Sequence, residues 1–310
     1  MIKKTIKRIL GKLAQKNTLP EQSFNLVDIA SSVDSSIQKA YFYASNSSKP
    51  SPLVVHLHEW GCDYRIFLER PHFGILCKKT EYNYIFPDFR GSNNTPESCA
   101  SDKVISDIDD AIDFAIKTAN VDTEKIAMIG ASGGGHAALT MYLKSKHKIK
   151  YFSAWCPISD IEQWYRQTKF AELKYHKDIE QIVCGSQNFE EMKKRSPLFM
   201  DFSDGIDRKN AKLEIYHGIN DGYTGSVPSI HSLNFYSKIA KNISVFDILQ
   251  IVSRSIPNNA TEFLADRKLL YKKESENIGL YIFDGSHEIL LEYALERIEY
   301  CFQEGEKDDS

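Results

Sequence analysis

KIAMIGASGGGHAALTMYL, residues 125–143, decides the fold. Ile126 to Ile129 form a run of β-formers that stops at Gly130. Ala131, Ser132 and three glycines follow, and a helix-like segment then begins with no polar linker. Gly130-Ala131-Ser132-Gly133-Gly134 fits G-x-S-x-G between a strand and a helix, the context that makes this pattern informative. A serine placed there occupies a tight turn that presents its hydroxyl above the sheet edge. Flanking glycines leave the backbone room for the strain and for close helix–strand contact. The helix N-terminus behind the serine aims N–H groups at any oxyanion formed beside it. A phosphate loop would need a lysine that is missing, and a dinucleotide fingerprint would need glycine where Ser132 stands. An ordinary glycine-rich turn remains the competing reading until partners for the serine are found.

Outward from this stretch, strand and helix signals alternate. Two β-like segments, FNLVDIAS and IQKAYFYAS, precede strands at 53–60 and 82–89. An amphipathic helix around 103–119 carries Val104, Ile105, Ile108, Ala111, Ile112 and Ala115 on one stripe. After the helix at about 134–146 come strands at 151–158, 212–218 and 278–285, with helices around 229–240 and 288–302. Near-continuous apolar strands alternating with helices imply α/β architecture, a mostly parallel central sheet covered by helices on both faces. The polar, aromatic-rich region at about 159–210 breaks the rhythm and reads as an inserted helical cap. Residues 245–276 give no clear signal.

The chain of 310 residues has 42% hydrophobic and 26% charged residues, as in an ordinary globular protein. Its net charge of −3 and pI near 6.3 give no electrostatic case for nucleic acid as a partner. Six scattered cysteines without a C-x-x-C pair suit reduced thiols rather than a zinc site or disulfide framework. Residues 1–22, opening MIKKTIKRILGKLAQKN, lack a secretory h-region, so the expected location is cytoplasmic. Ile2, Ile6, Ile9, Leu10 and Leu13 share one face of a basic helix. That helix reads as a packing or dimerising element, with weak contact to the inner membrane surface as the alternative. Residues 23–310 then form the main domain.

A serine hydroxyl needs a base, and the base needs a third group to orient it. In α/β-hydrolases, whose serine elbow this strand–turn–helix stretch resembles, the chain order is serine, acid, histidine, with each at a strand's C-terminal end. The strand KLEIYHG runs into Ile219-Asn220-Asp221, and IGLYIFDG runs into Ser286-His287-Glu288. Asp221 and His287 therefore fall in the required order and place.

From about residue 50 onward, the sequence resembles the α/β-hydrolases of the prolyl oligopeptidase-related and acetyl xylan esterase-like groups. HGINDGYTGSVP resembles their HG-x-x-D…VP segment, DGSHEI the segment holding their histidine, and PDFRGS their (D/N)-Y-R-G-S turn. The resemblance implies an α/β-hydrolase fold and a Ser132–His287–Asp221 triad, with no metal or organic cofactor. It departs where family members often carry His-Gly-Gly, since this chain has His58-Glu59-Trp60-Gly61. The expected oxyanion donors are the backbone N–H groups of Trp60 and Gly133. The related peptidases also carry a large N-terminal propeller for which this chain has no room, which points to an esterase.

The expected activity is hydrolysis of a carboxylic ester, with an O-acyl sugar ester as the favoured substrate. Peptide or amide hydrolysis, acyl transfer and a non-catalytic scaffold are the alternatives. His58, Glu59, Tyr223 and Trp164 are the candidate substrate-contacting residues; Trp164, Tyr165 and Tyr223 read either as stacking platforms for a sugar ring or as aromatics that only close the cap onto the body. Arg90 is expected to tie a loop beside the site. His136 and His56 read as packing residues, and His217 as a brace for the acid's loop. Asp107, Asp109, Asp110 and Asp113 read as a solvated helix face and turn supports.

Overall fold

The computed structural model describes residues 24–253 and 261–304, so the helix expected at 1–22 lies outside the described residues. Six strands run parallel through the middle of the sheet. In spatial order they are β4 (Asn83–Pro87), β3 (Ser51–Leu57), β5 (Val121–Ala131), β6 (Tyr151–Trp155), β7 (Lys212–Gly218) and β10 (Ile278–Phe283). Antiparallel strands extend both edges: β1 (Asn25–Ala30) and β2 (Ile37–Tyr43) on one side, β9 (Arg267–Ser275) and β8 (Phe263–Leu264) on the other. This is the α/β-hydrolase fold.

Among the described residues, ten helices are α1 (Ile66–Glu69), α2 (His72–Lys79), α3 (Asp102–Thr118), α4 (Gly133–Lys144), α5 (Ile161–Phe170), α6 (Tyr175–Ile182), α7 (Phe189–Lys194), α8 (Ile230–Ala240), α9 (Val245–Val252) and α10 (Leu291–Glu304). Strands β4 and β6 are buried along their whole length because helices cover both faces. One face buries Val104, Ile108 and Ile112 of α3 with Leu139 of α4 and Phe235 of α8. The other buries Phe73 of α2 with Leu295 and Ile298 of α10. The stripe on 103–119 is thus a core face, and Ser101 caps its helix by accepting a hydrogen bond from the Val104 N–H at 3.2 Å.

Helices α5, α6 and α7 fall within the expected cap and share a separate apolar cluster with Trp60. The unclear region resolves into α9, begun by a Ser244–Asp247 capping box, and strands β8 and β9. It was hard to read because β8 has two residues and β9 is a half-exposed strand rich in lysine. One expectation needs correction. Asp107 and Asp109 are buried rather than solvated: Asp107 receives Arg90, and Asp109 accepts from the Ser145 hydroxyl at 2.6 Å. No helix among the described residues is long and apolar enough to cross a membrane.

Candidate active site

The parallel strands deliver the three candidate groups to one edge of the sheet. Ser132 follows β5, Asp221 lies three residues beyond β7 and His287 four beyond β10. The Ser132 backbone sits at φ 56° and ψ −116°, the left-handed side of the map that a side-chain-bearing residue rarely adopts. Two hydrogen bonds hold it there. Its N–H donates to the Trp155 carbonyl at 2.8 Å, and its own carbonyl accepts from the His136 N–H at 2.9 Å.

The glycines around it are dictated by contact. A Cβ on Gly130 would lie 2.3 Å from the Gly134 carbonyl oxygen, since strand and helix touch backbone to backbone. A Cβ on Gly133 would lie 2.4 Å from the Trp60 nitrogen. The elbow and the loop after β3 are therefore in direct contact, and the two expected oxyanion donors are neighbours. Gly133 opens α4, so its N–H has no acceptor within the helix.

Asp221 is fully buried at its side chain and is surrounded by donors. Its Oδ2 accepts from His287 Nδ1 at 2.6 Å, while Oδ1 accepts from the N–H groups of Gly222 at 2.9 Å and Val227 at 3.0 Å. His217 Nε2 stands 3.4 Å from Oδ2 and donates to the Val227 carbonyl at 2.9 Å. Burial pushes this carboxyl upward, but the hydrogen bonds from His217 and His287 outweigh it and hold it well below the usual range. The carboxylate is thus ionised across the neutral range, and it fixes the proton of His287 on Nδ1. His287 keeps 27% of its side chain exposed, so the edge of the ring away from Asp221 is open to the site.

Cys156, just past β6, joins the elbow to the histidine loop. Its Sγ lies 3.7 Å from the carbonyls of both Ser286 and Glu288, either side of His287, and the preceding residue accepts the Ser132 N–H. Cys156, His217 and Asp221 also bring donor atoms within 4.8 Å of one another, the spacing of a metal site. Hydrogen bonds already engage each of these groups, so the cluster serves as the underside of the Asp221–His287 pair.

The substrate-contact candidates divide. Tyr223 is 63% exposed, two residues after the acid, and can meet a substrate. Trp164 cannot serve as a stacking platform, which corrects that expectation in favour of its alternative, closing the cap onto the body. It is fully buried, donates its indole N–H to the Ser226 carbonyl at 2.8 Å and packs against Trp60 with ring centroids 4.7 Å apart. His58 is also buried, stacked on Phe89 at 3.8 Å, and burial lowers its pKa to about 4, so it supports the loop as a neutral ring. Glu59 turns its carboxylate to Arg70 at 3.0 Å on the rim. Arg90 is spent on Asp34, Asp107 and Ser31, as a loop tie. His136 bonds the Ile158 carbonyl at 2.9 Å and His56 the Tyr84 hydroxyl at 2.7 Å, both as packing residues.

The structure also shows a residue that the sequence reading passed over. A Cβ on Gly225 would lie 2.2 Å from Asp221 Oδ1 and 2.7 Å from His287 Cβ, so this glycine admits the histidine to the acid. Its place in DGYTGSVP, four residues after the acid, was the available signal.

The model of the prolyl oligopeptidase family matches residues 74–251, more than half of the chain. The chain belongs to the prolyl oligopeptidase family. Ser132 and Asp221 fall inside the match, whereas Trp60 and His287 fall outside it and rest on geometry. No curated protein matches. Among solved structures, a Pyrococcus horikoshii acylaminoacyl peptidase is 17% identical with a TM-score of 0.57, covering 96% of this chain and 43% of its own. A Mycobacterium tuberculosis puromycin-hydrolyzing peptidase is 13% identical with a TM-score of 0.59, covering 89% and 38%. This prolyl oligopeptidase family chain thus spans about two fifths of those peptidases. A Pyrococcus furiosus esterase is 17% identical with a TM-score of 0.56, covering 94% and 93%. At these identities the likeness is one of fold.

Proposed function

We propose that this member of the prolyl oligopeptidase family is a serine hydrolase that cleaves a carboxylic ester. The observation that carries the reading is the 2.6 Å bond from His287 Nδ1 to a buried Asp221, on the sheet edge where Ser132 is held at positive φ. Ser132 Oγ attacks the acyl carbon while His287 takes its proton. The tetrahedral oxyanion is held by the N–H groups of Trp60 and Gly133. As the tetrahedral adduct collapses, His287 returns the proton to the departing alcohol, leaving an acyl-enzyme. Water, deprotonated by His287, then releases the acid. Asp221 keeps the imidazole in the tautomer that presents a lone pair to the serine.

Ester rather than peptide cleavage is supported by likeness to an esterase over nearly the full length of both chains. With Trp164 buried, a sugar alcohol would be met by Tyr223. The test is labelling by a fluorophosphonate probe together with turnover of p-nitrophenyl acetate and of peptide anilides. Wild type should label and cleave the acetate, and Ser132→Ala should do neither. Folded wild type that fails to label would end the hydrolase reading, and faster cleavage of anilides would transfer it to peptides. Acyl transfer would show as a new ester formed with an added sugar acceptor.

A further inference from the structure

We infer that Arg267, the first residue of β9, is a positioning residue for His287 and acts through Glu288. The inference rests on the reading of His287 as the base that serves Ser132. Between Phe283 of β10 and Leu291 of α10 the chain is neither strand nor helix, so individual hydrogen bonds must fix the segment that carries this imidazole. The topology supplies one set of them. Strand β9 is antiparallel to β10, with Leu269 beside Phe283 at the end of the pairing. A strand running against β10 begins where β10 ends, so Arg267 is delivered to the edge that holds Ser132, Asp221 and His287. Its Nη2 donates to Glu288 Oε2 at 2.9 Å and its Nε to Oε1 at 3.3 Å, the two-pronged grip of a guanidinium on a carboxylate. Nη1 is left for Asp266, at 2.9 Å.

Glu288 passes that grip to the turn around His287. Its Oε1 accepts from the Ser286 N–H at 3.1 Å, so one carboxylate ties together the two residues that flank the histidine. The hydrogen bond from Arg267 outweighs burial and holds the Glu288 carboxyl below its ordinary range, which keeps it ionised at neutral pH. The other ties reach the same two neighbours. The Ser286 hydroxyl meets that of Thr224, in the acid's loop, at 2.5 Å, and Cys156 Sγ lies 3.7 Å from the Ser286 and Glu288 carbonyls. The turn is thus anchored to β9, to the acid's loop and to the end of β6, and the anchor on β9 is the ionic one. Arg267 and Glu288 keep 35% and 30% of their side chains exposed. A pair so exposed adds little to stability. What it contributes is geometry, because a general base must stand within hydrogen-bond reach of the proton it takes.

The test compares Arg267→Leu, Glu288→Gln and the double variant with wild type, using p-nitrophenyl acetate turnover and the rate of fluorophosphonate labelling. Misplacing a reacting group by ~1 Å can cost ~10²-fold, so in Arg267→Leu both rates should fall by roughly 10- to 100-fold. KM should stay within about twofold, since no substrate contact is removed. The melting temperature should stay within about 4 °C of wild type. Glu288→Gln keeps an acceptor for the Ser286 N–H but gives up the charge that Arg267 grips, and it should lose kcat in the same direction. Two residues acting as one clamp should make the double variant no slower than the slower single variant. An Arg267→Leu protein with kcat within about threefold of wild type would overturn the inference. So would losses that multiply in the double variant, an effect carried by KM, or a kcat that falls only in step with the melting temperature. A wild type that neither labels nor turns over would overturn this inference and the hydrolase reading together. An active wild type matched by an equally active Arg267→Leu would overturn this one alone.

Discussion

Replacing Gly133 with alanine isolates the proposed oxyanion site. The added Cβ would sit 2.4 Å from the Trp60 nitrogen and 2.5 Å from its Cα, both backbone atoms. Ordinary contacts there are nearer ~3.5 Å, so about 1 Å of separation must open between the elbow and the loop after β3. Trp60 is poorly placed to supply it. Its indole packs on Trp164 with centroids 4.7 Å apart and donates to Asp178 at 3.3 Å, and its carbonyl accepts from the Asn93 N–H at 2.9 Å. Gly133 is helical and carries no positive φ, so alanine brings no backbone penalty and the cost is steric. Losing one oxyanion donor costs about 3 kcal/mol in the transition state, so kcat should fall by roughly 10²–10³. The serine remains in place. Steady-state turnover of p-nitrophenyl acetate and the rate of fluorophosphonate labelling, measured on protein of checked melting temperature, should both fall. A folded Gly133→Ala protein with kcat within threefold of wild type would refute the assignment of Trp60 and Gly133.

Asp221→Asn should lower kcat by about 10⁴, because an amide in place of the acceptor frees the imidazole to take the wrong tautomer; a pH–rate profile and stopped assays would read this. Arg297→Leu removes the partner that binds buried Glu214 through Nη2 at 2.6 Å and Nε at 3.1 Å. Lys212 Nζ remains 3.6 Å from Glu214 Oε1, but removing one partner of a buried ion pair costs about 3–5 kcal/mol, which urea unfolding would show. Burial raises the pKa of Glu214, but Arg297 and the tyrosines overcome that and set it below the ordinary 4.5. The stabilisation is therefore complete above that value and is lost as pH falls below it, where the unfolded chain takes up the proton first. Tyr223→Ala should raise KM for a sugar ester with little change in melting temperature. Trp164→Ala should instead cost about 3–5 kcal/mol of stability through loss of buried packing.

How much of this was legible in the sequence follows from which forces act locally. The α/β order, the elbow and the acid and histidine positions each follow from a short run of residues. Strand continuity, glycine spacing and chain order report them directly. Tyrosines 151, 216 and 281 gathering on Glu214 could not be read in this way, because they come from different strands and meet only through register. Trp164 misled because an aromatic in a polar region looks available, whereas its surroundings are supplied by α6, α7 and the loop after β3. The buried aspartates of α3 misled in the same way, since their partners lie as far off as Arg90 and Ser145.

The departure at His58-Glu59-Trp60 shows how the site tolerates a loop without the usual glycines. A loop approaching the elbow closely needs the space of a Cβ removed on one side of the contact. Here that space is removed at Gly133, where the virtual Cβ meets Trp60 backbone, so residue 60 can carry a large side chain pointing elsewhere. That side chain goes into the cap cluster, where it meets Trp164 of α5 and Asp178 of α6. Glu59 is left on the rim with Arg70. The backbone of residue 60 is thereby held by cap packing rather than by a flexible glycine pair. Loosening the cap at Trp164 should then slow turnover as well as lower stability, while the Asp221–His287 pair, built on β7 and β10, stays intact. If Trp164→Ala alters only the melting temperature and leaves kcat unchanged at a temperature where the protein is folded, the cap does not position the oxyanion loop.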